Sequence, residues 1–166
     1  MTTDHYTREA TVIPQGEREI HVERVFDAPR ERVYALFNDP ALIPEWWGPT
    51  PVDVDQMDVR PGGAWRYVMR GETGPRAGFR GTYREVSPPE RVVRTFEWEG
   101  MPGHVAVESA EFEDLGDRTR VVTTMIFHTT EERDGMIGSG MAGGLNATYR
   151  RLDDVLARPA GSAGGA

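Results

Sequence analysis

The stretch TTEERDGMIGSGMAGGLNATYRRLDDVL, residues 129–156, decides the fold. Thr129 followed by Glu132 has the form of a capping box, in which a hydroxyl and a carboxylate three residues apart satisfy backbone N–H groups and start a helix. From there Ile137, Met141, Leu145, Tyr149, Leu152 and Leu156 recur at intervals of four and three, which predicts a long C-terminal helix with one apolar stripe. Its first turns carry Gly135, Gly138, Gly140, Gly143 and Gly144. Each interior glycine costs about 0.5–1 kcal/mol against alanine, so the cluster needs a reason. Close approach of the helix to the sheet is the first reading, because small residues are a common packing device. A spacious or mobile cavity mouth is the second. The run from Gly138 to Gly143 also fits G-x-G-x-x-G. A dinucleotide fingerprint needs a strand directly before it and another after its helix, and neither is expected here, so the match is accidental.

Upstream, residues 52–128 are punctuated by the turns of an antiparallel sheet at 60–63, 71–75, 87–89, 100–103 and 114–117, giving six strands. In the first turn Pro61 presets one dihedral and Gly62 supplies the positive φ of a type II turn. Alternation puts Trp65, Tyr67 and Met69 on one face of a strand, Phe79, Gly81 and Tyr83 on one face of the next, then Phe96 with Trp98, and Met125 with Phe127. Before these, residues 19–26 alternate as a first strand. Pro29 opens a short helix with Val33, Leu36 and Phe37, and Asp39-Pro40 opens a second with Leu42, Ile43, Trp46 and Trp47. The order is strand, two short helices, six strands, long helix. An antiparallel sheet with one apolar face must be covered, and only the C-terminal helix is long enough, so the class is α+β.

At 166 residues the chain is one domain: an N-terminal extension at 1–16, a folded unit at 17–157 and a flexible tail at 158–166. Lys plus Arg is 19 against 27 for Asp plus Glu, a net charge of −8 that disfavours nucleic acid and anionic membranes. Cysteine is absent, which excludes disulfides and thiolate chemistry and suits a reducing cytoplasm. No apolar run reaches the roughly 18 residues of a membrane span, and the N-terminus lacks the basic start of a leader. A cytoplasmic protein without membrane insertion is expected.

A resemblance now enters, carried in order by Phe26-Asp-Ala-Pro-Arg-Glu-Arg-Val33, Asp39-Pro40 with Trp46-Trp47-Gly48, Arg60-Pro-Gly-Gly63, Gly81-Thr-Tyr-Arg-Glu-Val86 with Pro88-Pro89-Glu-Arg91, and Ser139-Gly-Met141 leading to Tyr149-Arg-Arg-Leu-Asp153. From about Ile20 to Leu156 the chain resembles the family of activator-of-heat-shock-protein-90-ATPase homologues, in the START-like, polyketide cyclase or Bet v 1-like (SRPBCC) superfamily. The resemblance implies the helix-grip fold, a curved antiparallel sheet of about seven strands wrapped around the C-terminal helix with an apolar cavity between them. It implies no shared catalytic constellation, because a cavity rather than a reaction unites the superfamily.

The residues themselves offer little catalysis. His5, His21, His104 and His128 lack ligand spacing, so neither a metal nor a cofactor is expected. Asp53, Asp55 and Asp58 read as a solvated strand face, and no G-x-S-x-G elbow is present. What remains is a lone acid or base in an apolar cavity, with His104, Glu108, Glu85 and His128 as candidates. An exposed or salt-bridged role outweighs the catalytic one for each, so no catalytic residue is assigned, and His104 and Glu108 stand only as candidates. The expected cavity wall is Trp47, Trp65, Tyr67, Met69, Phe79 and Tyr83 on one side. Phe96, Trp98, Met125 and Phe127 extend it, and Met136, Met141 and Leu145 face it from the helix. Arg66, Tyr83 and His104 would be its polar handles. The competing reading is that these residues simply fill a core.

Three functions follow. The first is a binder of a small hydrophobic, lipid-like or polyketide-like ligand that does no chemistry. The second is a cyclase, aromatase or hydrolase using one acid or base. The third, a chaperone-binding ATPase activator, ranks last because the family name derives from a longer protein with an additional chaperone-binding domain. Both a monomer and a homodimer are compatible with the sequence.

Overall fold

The computed structural model describes residues 9–48 and 50–158, so the expected tail beyond Arg158 lies outside the described residues. The strands are β1 (Thr11–Gln15), β2 (Glu19–Phe26), β3 (Val52–Met57), β4 (Ala64–Gly71), β5 (Gly74–Ser87), β6 (Arg91–Trp98), β7 (Val105–Asp114) and β8 (Thr119–Ile126). The helices are α1 (Arg30–Asn38), α2 (Thr130–Gly138) and α3 (Met141–Leu156), with a single 3-10 turn at Ile43–Glu45. Six consecutive strands from β3 to β8 pair as hairpin neighbours, and β2 closes onto β8, so the antiparallel order is β1-β2-β8-β7-β6-β5-β4-β3. This is the α+β helix-grip architecture. At the first turn of the sheet, Gly62 has φ +86° and the Gly63 N–H donates to the Arg60 carbonyl at 2.8 Å, the backbone that Pro61-Gly62 predicts.

Two expectations change. The sheet has eight strands rather than about seven, because Thr11–Gln15, inside the supposed extension, pairs with β2 from Thr11↔Glu23 to Gln15↔Glu19. Four of its five side chains are exposed, so the strand is held by its backbone at a sheet edge, where Pro14 is tolerated and no hydrophobic alternation betrays it. The long C-terminal helix is also two helices. Gly140 adopts φ +84°, a left-handed conformation that ends α2 and lets α3 begin. Ser139 Oγ closes the end of α2 by donating to the Met136 carbonyl at 2.6 Å. The break keeps Ile137 and Met141 on the same side, which is why the apolar stripe reads straight through it.

The capping box forms as expected: Glu132 N–H donates to Thr129 Oγ1 at 3.1 Å, and Thr129 N–H donates back to Glu132 Oε2 at 3.3 Å. Arg133, buried in the same turn, donates to the carbonyls of Gln15, Gly16 and Glu19 and ties α2 to the β1–β2 turn. At the far side of the sheet Gly81 permits a close approach. A Cβ there would lie 1.9 Å from the Thr95 carbonyl oxygen and 2.6 Å from Trp65 Nε1. The β5–β6 register shifts just beyond it, between Tyr83 and Glu85, and a bulge of this kind bends the strand. Among the described residues, no helix is long and apolar enough to cross a membrane.

Candidate functional site: a cavity under the glycine-rich cover

The C-terminal part of α3 is fastened to the sheet. Leu152 and Val155 are fully buried, and Tyr149 packs edge-on against Phe26 at a ring separation of 5.1 Å. Arg24, buried on β2, donates from Nη1 to Asp153 Oδ1 at 2.7 Å while its Nη2 meets Oδ2, a bidentate pair that fixes the helix axis. Arg32 Nη2 caps the end of α3 by donating to the Val155 and Arg158 carbonyls, and Arg151 donates to the Gly48 carbonyl.

Toward its N-terminus α3 leaves the sheet. The space beneath is a cavity of about 410 Å³. Met69, Phe79, Phe96 and Met125 wall it from the sheet, Met136, Met141 and Leu145 from the helices, and Trp46 and Trp47 from the loop after α1. Trp47 stands edge-on to Tyr67 at 5.0 Å and to Phe79 at 5.3 Å, which ties the loop to the sheet. A second, outer groove of about 720 Å³ continues along the sheet between Trp98, Met101, Phe127 and the outward side of α2. Phe79, Phe96, Met136 and Ser139 wall both spaces.

Gly140 and Gly144 line the inner cavity and Gly135 the outer groove. A Cβ built on Gly135, Gly138, Gly143 or Gly144 meets no atom within 4 Å. Close approach to the sheet, the first reading, is therefore excluded for these four, of which Gly138 and Gly143 line neither space and are exposed; only Gly140 has a backbone reason, its positive φ.

The predicted wall divides into three groups. Trp47, Met69, Phe79, Phe96, Met125, Met136, Met141 and Leu145 come together around the inner cavity, and Trp98 and Phe127 belong to the outer groove. Trp65, Tyr67 and Tyr83 line neither, since they are fully buried where the sheet bends at Gly81. Trp65 Nε1 is spent there on the Thr95 carbonyl at 3.0 Å. Arg66 is not a handle at all. It alternates to the outer face of β4 and forms a two-point pair with Glu99, both contacts at 2.8 Å. Asp53, Asp55 and Asp58 pair there with Arg70, Arg66 and Arg60, as a solvated face does.

Among the acid/base candidates, Glu85 bridges to Arg91 at the surface and His128 is exposed. His104 lies on the rim of the outer groove with its Nδ1 against Glu132, whereas Glu108 faces the inner cavity. The two candidates do not share a partner.

Sequence reading missed Arg94. It sits on β6 two residues before Phe96, so the same alternation that points Phe96 inward points Arg94 inward, and charge alone hid it. Its guanidinium lies 4.0 Å over the Trp65 ring, Nε donates to Glu108 Oε1 at 3.0 Å and Nη1 to the Tyr67 hydroxyl at 3.0 Å. Burial alone would lower its pKa, but the Tyr67 oxygen and the Glu108 carboxylate outweigh burial and hold the proton more firmly than in an ordinary arginine. Tyr149, also on the cavity wall, is pushed above the usual phenol range by burial and by Glu108, so it stays neutral.

The comparisons bear on the fold and the family. The chain matches no curated protein. Among solved structures, a crystal structure of a protein from Rhodobacter sphaeroides aligns with TM-score 0.83 at 25% identity, covering 90% of this chain and 98% of that one. A solution NMR structure of a protein from Arthrobacter aurescens aligns with TM-score 0.80 at 26% identity, covering 90% and 92%. The crystal structure of the AHSA1 protein from Silicibacter pomeroyi shares the fold, with TM-score 0.67 at 24% identity over 84% of this chain and 97% of that one. The family model described as Activator of Hsp90 ATPase homolog 1-like protein matches residues 27–157, which span β3 to β8, all three helices and the cavity wall except Val22, and the chain belongs to that family.

Proposed function

We propose that this protein binds a small hydrophobic molecule in the cavity beneath α2 and α3 and does no chemistry on it. One observation carries the reading: an apolar space of about 410 Å³, within the usual range of roughly 300–1,000 Å³ for ligand sites, lies behind a helical cover whose glycines touch nothing. A cover that only sealed a core would gain by replacing those glycines with larger side chains. Methionines at positions 69, 125, 136 and 141 give the wall adaptable, polarizable surface suited to ligands of varied shape. The arrangement of polar groups favours binding over catalysis. Glu108 has one carboxylate oxygen engaged by Arg94, and His104 is engaged by Glu132 in the other groove, so the two candidates lie apart and each is held by a charged partner. The location that goes with this reading is the cytoplasm, with which a chain free of cysteine is compatible.

The test is native mass spectrometry of the freshly purified protein, together with titration of the neutral apolar dye N-phenylnaphthylamine. A co-purifying small molecule, or saturable dye fluorescence displaced by acyl or polycyclic compounds, is the expected result. Gly144→Phe should weaken dye binding without unfolding the protein, because position 144 lines the cavity and has room for a side chain. A native protein that neither carries a molecule nor takes the dye would end the proposal.

A further inference from the structure

Within the inner cavity, Arg94 and Glu108 are the only charged residues among the described residues that line it. They face one another in register across β6 and β7, so the backbone sets their spacing. The pair is incompletely used. Arg94 donates through Nε and Nη1, and Glu108 accepts through Oε1. By distance and angle no hydrogen bond engages Arg94 Nη2 or Glu108 Oε2 among the described residues, and the buried Tyr83 hydroxyl, close enough to interact with the guanidinium, has no hydrogen-bond partner of its own. The side chains are only 12% and 21% exposed, so what remains open on them belongs to the cavity rather than to bulk water. Stacking on Trp65 holds the guanidinium in place before anything binds.

Building on the ligand-binding reading, we propose that this pair selects ligands ending in a neutral hydroxyl, an alcohol or phenol, over ligands ending in a carboxylate. A hydroxyl is both donor and acceptor, and can therefore take a hydrogen bond from Arg94 Nη2 while giving one to Glu108 Oε2. A carboxylate can only accept. It would sit beside Glu108 in a water-poor space where like charges repel strongly, and the only cation there is already neutralised. An ether satisfies Nη2 but leaves Oε2 without a donor, and sites built around a hydroxyl reject analogues that lack it. The apolar body of the ligand then runs past Phe96 and Phe79 toward Trp98 and the outer groove.

Displacement of N-phenylnaphthylamine at pH 8 by decanol, decyl methyl ether and decanoate tests this. Wild-type protein should release the dye at concentrations of decanol about tenfold lower than of the ether, and lower still relative to decanoate. In Glu108→Gln the advantage over the ether should shrink and decanoate should gain about tenfold, because Arg94 is then an uncompensated cation. Should Glu108→Gln fold poorly, Arg94→Met combined with Glu108→Met replaces the pair with apolar groups, a change that buried ion pairs often tolerate. It should bind decanol and the ether alike. Equal displacement by decanol and ether in the wild type, or an unchanged preference in the double variant, would overturn the proposal while leaving the binding reading intact. Failure of the dye to bind wild-type protein would overturn both.

Discussion

The two ends of the helical cover obey opposite rules. Residues 148–156 of α3 are pressed onto the sheet, with Leu152 and Val155 fully buried, Arg24 gripping Asp153, and Arg32 and Arg151 fastening the helix to its neighbours. Residues 135–145 carry glycines with open space around them, and their apolar side chains, Met136, Ile137, Met141 and Leu145, are only partly buried. One end spends its side chains on packing. The other leaves its side chains partly unpacked over an open space.

The sharpest way to break the comparison is to place the same charge at both ends. Leu152→Asp buries an unpaired carboxylate at a fully enclosed position and should unfold the protein or cost several kcal/mol. Leu145→Asp should cost clearly less, because position 145 is only partly buried and its carboxylate can turn toward solvent at the edge of the cover. Thermal melts of the two variants decide it, and equal losses would show that both ends are packed alike.

A second test removes the grip itself. Asp153→Ala leaves the Arg24 guanidinium, 2% exposed, without its carboxylate. Breaking a buried pair from one side costs about 3–5 kcal/mol, and because Asp153 is 21% exposed the loss should fall at or below the low end of that range. Urea unfolding measures it.

Smaller effects of opposite sign separate the glycines. Gly143→Ala adds a methyl group to open space in a helix and should stabilise by about 0.5–1 kcal/mol. Gly140→Ala forces a side chain into φ +84° and should destabilise by about 1–2 kcal/mol. If Gly143→Ala destabilises, the space above that turn is not open.

The smallest expected effect depends on pH. The hydrogen bond with His104 holds the Glu132 carboxyl below the usual carboxylate range. A carboxyl whose pKa is lowered by folding stabilises above its unfolded pKa and loses that contribution as pH falls through the folded value. The start of α2 should therefore loosen on the acid side of the usual carboxylate range, while residues 148–156 respond less. Glu132→Gln, which keeps the capping geometry, should flatten that dependence in amide exchange of residues 130–134.

Much of the packed end was legible in the sequence, and much of the open end was not. The stripe through Tyr149, Leu152 and Leu156 and the capping box at Thr129 are local, periodic signals, and each stands in the structure as read. The break at Gly140 was hidden because it preserves the phase of that stripe. β1 was hidden because an exposed edge strand needs only backbone pairing. Alternation and helical spacing bring eight of the named residues to the inner cavity, yet neither can say that Trp65, Tyr67 and Tyr83 lie buried outside it, near the register shift beyond Gly81. Arg94 was legible in principle, by its place two residues before Phe96. Arginines in an acidic sequence read as surface, whereas stacking on Trp65 and pairing with Glu108 offset the cost of taking this one inside.

Hydrogen exchange by mass spectrometry, with and without saturating N-phenylnaphthylamine, tests the central claim most directly. The open end should exchange fast in the free protein and gain protection over residues 135–147 and along Trp46 to Gly48 when the dye is bound. Residues 148–156 should be slow throughout and unchanged. Uniformly slow exchange across both ends of the cover, or a dye that protects the fastened end and leaves residues 135–147 untouched, would contradict the account.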